Sequence, residues 1–346
     1  MRKVYVKSSA QISSQFPLCD AWMENPLELY SDRVNPPCEP DWKRFVSPLE
    51  ARRMTGLMKR ALAVSAVSLE EAGLAVPEAV VCGTGLGLQE NTEAFLTALC
   101  SGERTSLRPV HFMQSTHNTL ASLIGIRTGS HGYNATYSHG GLSFESALDD
   151  AWTQLRLERF GNALVGAFDE VTPFSYSVYR QGCLYAGGIP SCGSAVSFVV
   201  DTEAEGALCE IAAVRLLFRP SEEKMRESVE KMLSCKGLKV SDVGLVISID
   251  GLCEQESGEA GNAVKEMFKD MLHGRYGHIF GSCPSASAAG MYAAVACFRH
   301  GHVPKSLLCS CESGSDRKVP VPDNILLYNR SGDNGHSFIL LRVCGK

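Results

Sequence analysis

The sequence predicts an α/β fold built from two similar halves. Segments of strand and helix character alternate along the whole chain. The chain has 346 residues, 45% of them apolar, enough for one large domain or two fused ones. The layout of the first half also recurs in the second. Each half has a buried strand leading into a glycine-containing turn and, later, a strand, a tight turn and a packed helix. These observations divide the chain into residues 1–204 and 205–346.

Taken in order, Ser47-Pro48-Leu49-Glu50 is a capping box with proline at the first helical position. It opens a helix carrying Met54, Leu57, Met58, Ala61 and Leu62, predicted to run to Glu71 before Gly73. A buried strand Ala79–Cys82 enters the turn Gly83-Thr84-Gly85-Leu86-Gly87. Helices follow near Asn91–Leu99 and Asn118–Arg127, then a strand Gly132–Ser138 and a sharp turn at Gly140-Gly141. The next helix has Phe144, Ala147, Leu148, Ala151 and Leu155 on one face. Asn162–Ala167 reads as a strand that runs on to the acidic pair Asp169-Glu170. Residues 172–191 have loop character, and Ser194–Val200 is a strand.

In the second half, Cys209–Phe218 is a strand, Glu222–Leu233 a helix and Gly244–Ile249 a strand ending in Asp250-Gly251. A helix is predicted near Ala260–Leu272 and a strand at His278–Gly281. A helix of small residues spans Ser285–Phe298, its side chains short enough for close packing on both sides. Ser337–Val343 is a closing strand.

Composition excludes several functions. The net charge is −5 and no Lys/Arg run stands out, which argues against nucleic acid or a membrane surface as partner. No apolar stretch reaches the roughly 18 residues of a membrane span. The N-terminus lacks an apolar secretory core, so the expected location is cytoplasmic. The 14 cysteines are scattered, several within apolar runs (Cys82, Cys100, Cys297), and form no CxxC pair. Cys309-Ser310-Cys311 has no second pair to complete a zinc site, so no metal is expected.

Local motifs supply little chemistry. A dinucleotide site at Gly83-x-Gly85-x-Gly87 needs a third glycine where Leu88 stands, and a strand-closing acid where the chain reads Cys100-Ser101-Gly102-Glu103. Ser138-His139 with Asp149-Asp150 suggests a hydrolase triad, but neighbours in a strand face opposite ways and no G-x-S-x-G elbow occurs. The nine histidines form no HExxH. His336 reads as a loop histidine. Asp250 is the most suggestive acid, with a loop cap as its plainer reading.

Beyond these motifs, the order of segments from Ser47 to Leu341 resembles a β-ketoacyl synthase of the thiolase-like superfamily. Glu50-Ala51-Arg52-Arg53-Met54 resembles the family's early helix, and Cys82 to Gly87 its first glycine turn. Gln114-Ser115-Thr116-His117-Asn118-Thr119-Leu120-Ala121 resembles the helix lining its acyl pocket. Gly129 to Thr136 resembles the strand that pairs across its dimer, and Asn162 to Glu170 its strand of LVGGxDE type. The resemblance implies a layered α-β-α-β-α fold and no cofactor.

It also implies that the reactive groups are missing. The nucleophilic cysteine's place falls on Gly141, the two histidines' places on Asp250 and Pro284, the lysine's on Ile279 and the gating phenylalanine's on Asp333. Decarboxylative condensation needs a thiolate to carry the acyl group and donors to stabilise the enolate. Cys283 reads as a core thiol. The chain therefore resembles a chain-length factor, the non-catalytic partner of an active ketosynthase, or the short ketosynthase-like proteins of aryl-polyene and related pathways. Phe112, Gln114, Thr116, His117, Thr119 and Leu120 are then expected to project towards the end of the partner's acyl tunnel. Tyr133, Asn134, Ala135, Thr136 and Tyr137 are expected to pair with a ketosynthase subunit or a second copy, and an acyl carrier protein is the implied further partner. The alternatives are an acyltransferase with another nucleophile (Ser138, Ser143 or Cys283) and a stand-alone acyl-binding homodimer.

Overall fold

The computed structural model describes residues 2–102, 108–181, 188–252, 258–309, 319–332 and 334–345. Their principal strands are β1 (Tyr5–Ile12), β2 (Ala79–Gly83), β3 (Tyr133–Tyr137), β4 (Asn162–Asp169), β5 (Ser194–Asp201), β6 (Cys209–Phe218), β7 (Leu245–Ser248), β8 (Leu272–Arg275), β9 (Asn324–Arg330) and β10 (Gly335–Arg342). Helices are α1 (Pro48–Ala51), α2 (Gly56–Glu71), α3 (Gln89–Cys100), α4 (Pro109–Gln114), α5 (Thr119–Thr128), α6 (Ser143–Arg156), α7 (Pro173–Gln181), α8 (Glu222–Ser234), α9 (Gly258–Met267), α10 (Gly277–Phe280) and α11 (Ser287–His300).

The strands form one ten-stranded array in the order β8-β7-β9-β10-β6-β1-β5-β4-β2-β3. Read outward from the centre, the halves run β1-β5-β4-β2-β3 and β6-β10-β9-β7-β8. Each strand of the second half sits where its counterpart five places earlier sits in the first. Pair orientations match as well: the outer two pairs of each half are parallel and the inner pairs antiparallel. Antiparallel pairing of β1 with β6 joins the halves.

Two helices fill the space between the half-sheets. α6 packs on β2, β3 and β4 and reaches β6; α11 packs on β7 and β9 and reaches β1 and β5. Helices α2 and α5 cover the first half-sheet from outside, and α8 and α9 the second, which completes five layers. The small residues of α11 explain its place. Every side chain from Ser287 to Cys297 is buried, and a helix apolar all round is stable only between two layers. Gly290 is needed there, because a Cβ would stand 2.6 Å from Cε1 of the buried Tyr276 ring.

Several elements differ from the sequence reading. The helix expected from Ser47 to Glu71 is two. The capping box forms at Ser47 and Glu50, but α1 stops at Ala51, and Thr55 caps α2 by accepting from the Met58 amide at 3.3 Å. The segment expected as a loop after Thr172 contains α7, the strand expected at His278–Gly281 is the short helix α10, and Leu272 belongs to β8. β1 and β9 were not expected. β1 alternates poorly because it is covered on both faces, its buried hydroxyls bonded as when Ser8 donates to the Ser68 carbonyl at 2.6 Å. His336 lies inside β10, buried, not in a loop.

The two outer strands end differently. The outer edge of β8 is covered by the segment at Leu307 to Cys309, with the Arg275 amide donating to Leu307 O at 2.8 Å and the Cys309 amide to His273 O at 3.0 Å. β3 has no strand on its outer side among the described residues, and Tyr133 is 40% exposed. Sequence resemblance placed a pairing strand here.

Placing a methyl at position 290 overpacks the central layer. Gly290→Ala is expected to lower the stability by about 1–3 kcal/mol, read from its urea midpoint.

Candidate active site

The turn after β3 lies at the head of α6. Gly140–Leu142 form a single 3-10 turn that runs into Ser143. The Ser143 hydroxyl donates to Gly140 O at 2.7 Å and accepts from the His139 amide at 2.8 Å, which tightens the elbow. Gly140 takes φ +52°, a conformation that glycine adopts without strain. From behind, Asn329 Nδ2 donates to Gly141 O at 2.9 Å and to Glu145 Oε1 at 2.7 Å. Glu145 is fully buried, and burial pushes its carboxyl up.

Gly141 faces a cavity of about 300 Å³. The walls include the glycine turn after β2 (Gly85, Leu86), the segment before α11 (Ser282 to Pro284), Tyr276, and the β9–β10 hairpin (Asn329 to Gly332). Among the described lining residues there is no histidine and no lysine. The one thiol, Cys283, is 6% exposed, lies 3.3 Å from the Ser194 hydroxyl, and is pushed up to about 12 by burial, so it stays protonated at neutral pH. The position where a side chain would start at residue 141 is taken: a Cβ there would stand 2.8 Å from Ser331 Oγ and 3.1 Å from Ser331 Cβ. Across the cavity, Gly85 has no room for a Cβ because of the Pro284 ring.

One carboxylate fixes these walls. Asp169, at the end of β4 and fully buried, accepts through Oδ1 from the Thr84 hydroxyl (2.9 Å) and the Leu86 amide (2.9 Å), and through Oδ2 from the Gly85 amide (3.0 Å) and the Ser285 amide (3.1 Å). The glycine turn therefore spends its amides on an internal carboxylate, which is why it offers no phosphate cradle.

The family model of the β-ketoacyl synthase N-terminal domain matches residues 20–244. The chain belongs to the β-ketoacyl synthase family. Among solved structures, "The ishigamide ketosynthase/chain length factor" shares its fold with TM-score 0.79 and 16% identity, covering 99% of this chain and 100% of that one. A β-ketoacyl synthase from Burkholderia phymatum STM815 matches at TM-score 0.77 and 15% identity, with 99% and 100% covered. The AntDE:AntF complex, a type II PKS acyl-carrier protein with its ketosynthase bound to the hexaketide, matches at TM-score 0.76 and 12% identity over 99% and 100%. No curated protein matches the sequence.

Within this ketosynthase fold, the residues singled out by sequence separate into groups. Gly141 and Pro284 line one cavity. Asp250 is not among its lining residues; its neighbour Ile249 is, while the Asp250 carboxylate caps its own loop, accepting from the Ser248 hydroxyl (3.0 Å) and the Leu252 amide (3.1 Å). Ile279 is fully buried in the core on α10. Asp333 lies outside the described residues, between Gly332, which lines the cavity, and Asn334. The six residues expected at an acyl tunnel do not line this cavity. Phe112, Thr116 and His117 are exposed, Gln114 and Thr119 half-buried, and Leu120 packs in the core. They form a surface around α4 and the start of α5. Ser331, Tyr276 and Asn329 were missed. Their only signal was proximity to the glycine-rich hairpin and to α10, because long-range contact alone brings them to the elbow.

Two outcomes test this geometry. Asp169→Ala strands four buried donors and is expected to lower stability by about 3 kcal/mol or more, read by chemical denaturation. The second concerns His336, whose Nδ1 is hydrogen-bonded to the Tyr328 hydroxyl at 2.9 Å. Burial, with Arg330 nearby, lowers it from 6.5 to about 4. Between those values the unfolded chain binds a proton that the folded chain rejects. Stability is therefore expected to fall by roughly 3 kcal/mol as pH drops through that window, and the slope to flatten in His336→Gln.

Proposed function

We propose that this chain is a catalytically degenerate subunit of chain-length-factor type, paired with an active ketosynthase in fatty-acyl or polyketide (polyene) biosynthesis. The acyl carrier protein that delivers substrate to the pair is the further partner of this reading. Residues 1–204 and 205–346 are its two ketosynthase-like halves.

The observation that carries the reading is the filled elbow. At the turn where the family resemblance puts a nucleophile stands Gly141, and the Ser331 hydroxyl occupies the space that a Cβ would need. Pro284, with no donor or acceptor in its ring, faces it across the cavity. Acyl transfer needs a nucleophile with a base or a lowered pKa. The side chains weighed as substitutes argue against such a role here. Ser143 is buried and bonded at both lone pair and proton, the Cys283 thiol is held protonated, and Ser138 is exposed away from the cavity.

The open edge of β3 supports assembly. An exposed strand edge is a template for pairing with another chain. Tyr133 on this strand and Ile126 on α5, which packs against it, are exposed. The same edge would serve a stand-alone acyl-binding homodimer, the second reading.

Co-expression with a cysteine-bearing ketosynthase followed by size exclusion is expected to give a 1:1 heterodimer; a chain that elutes apart at micromolar concentration would count against the reading. Intact mass after incubation with an acyl thioester is expected to be unchanged, and a covalent adduct would overturn it. Gly141→Ala is expected to cost about 1–3 kcal/mol through contact with Ser331, and Ser331→Gly to relieve that cost.

A further inference from the structure

A second cavity, of about 620 Å³, lies on the other side of Asp169-Glu170, between the start of α2, the start of α3 and the prolines at 36, 37 and 173. Arg60 of α2 lines it. Only 6% of Arg60 is exposed, yet among the described residues its guanidinium has no hydrogen-bond partner: the ion pair with Glu39 is 3.9 Å long, and the buried Nε is unpartnered. A buried guanidinium without hydrogen bonds is costly, and native interiors seldom keep one unless another molecule satisfies it. The wall opposite carries the complementary want. Glu170, 3% exposed, accepts from the Glu90 amide through Oε1 at 2.7 Å, while its Oε2 has no partner among the described residues. Glu90 and Glu93 stand at the same cavity, the latter accepting from the Thr172 hydroxyl.

Charge narrows what could bind. A simple anion would meet Arg60 but face Glu39, Glu90, Glu93 and Glu170. A simple cation would satisfy the carboxylates and leave the guanidinium bare. A molecule with an acceptor group at one end and an ammonium at the other satisfies both. Val34, Pro36, Pro37, Val171 and Pro173 add apolar wall for its body. We propose that this cavity is a binding site for a small zwitterion of amino-acid type, its carboxylate on the Arg60 guanidinium, its ammonium against Glu170 and Glu90, and its apolar side chain against the proline wall. The site shares no lining residue with the elbow cavity and does not depend on the function proposed above.

Titration calorimetry and thermal shift on the full chain test it, with L-leucine as the probe. Leucinamide, which lacks the carboxylate, and 4-methylpentanoate, which lacks the ammonium, are the controls. Leucine is expected to bind and raise the Tm, with both controls at least about tenfold weaker, since each loses a charge-assisted contact. Arg60→Gln and Glu170→Gln are each expected to weaken leucine binding by at least about tenfold. Glu170→Gln keeps the volume and serves alone should Arg60→Gln fail to fold. No binding of leucine up to about 10 mM, equal binding of either control, or unchanged affinity in Glu170→Gln would each overturn the proposal.

Discussion

The Asp169 carboxylate holds the first half of the chain to the second. It sits at the end of β4 in the first half-sheet. Two of its donors are amides of the glycine turn after β2, one is the Thr84 hydroxyl, and one is the amide of Ser285, which precedes the second half's central helix. A carboxylate accepts up to four such bonds, and a fully buried one is tolerable only when they are made. The Gly85 and Pro284 walls of the elbow cavity are positioned from this point, and the Gly141 wall from Asn329.

Those walls are complementary in a way that single positions do not show. Pro284 fits because Gly85 has no Cβ, and Ser331 fits because Gly141 has none. Each pair puts the larger residue on one side and glycine on the other, which is how close-packed interiors keep their density. A side chain placed at residue 141 would meet Ser331. The packing at Gly141 is thus shared between the turn before α6 and the β9–β10 hairpin, and Asn329 links the two by bonding both Gly141 O and Glu145.

The two halves repeat each other strand for strand but differ at their outer edges. The segment at Leu307 to Cys309 covers β8, whereas β3 has no strand on its outer side among the described residues.

The sequence by itself determined the fold class, the repeated layout and most element positions, because local periodicity, capping boxes and glycine turns are written in neighbouring residues. The capping box at Ser47 and the all-buried small helix α11 are examples. Gly141 and Pro284, to which the family resemblance pointed, line one cavity. Tertiary structure decided the rest. Strand β1 and the buried state of His336 depend on neighbours hundreds of residues away or across a hairpin, so no local pattern reveals them. Asp250 turned to cap its own loop, leaving Ile249 at the wall, a one-residue shift that reverses which side chain faces the site. Ser331 in the place of a Cβ, and Arg60 buried without a hydrogen bond, arise from packing between distant segments. Side-chain contact is a property of space, and spacing along the chain carries no record of it.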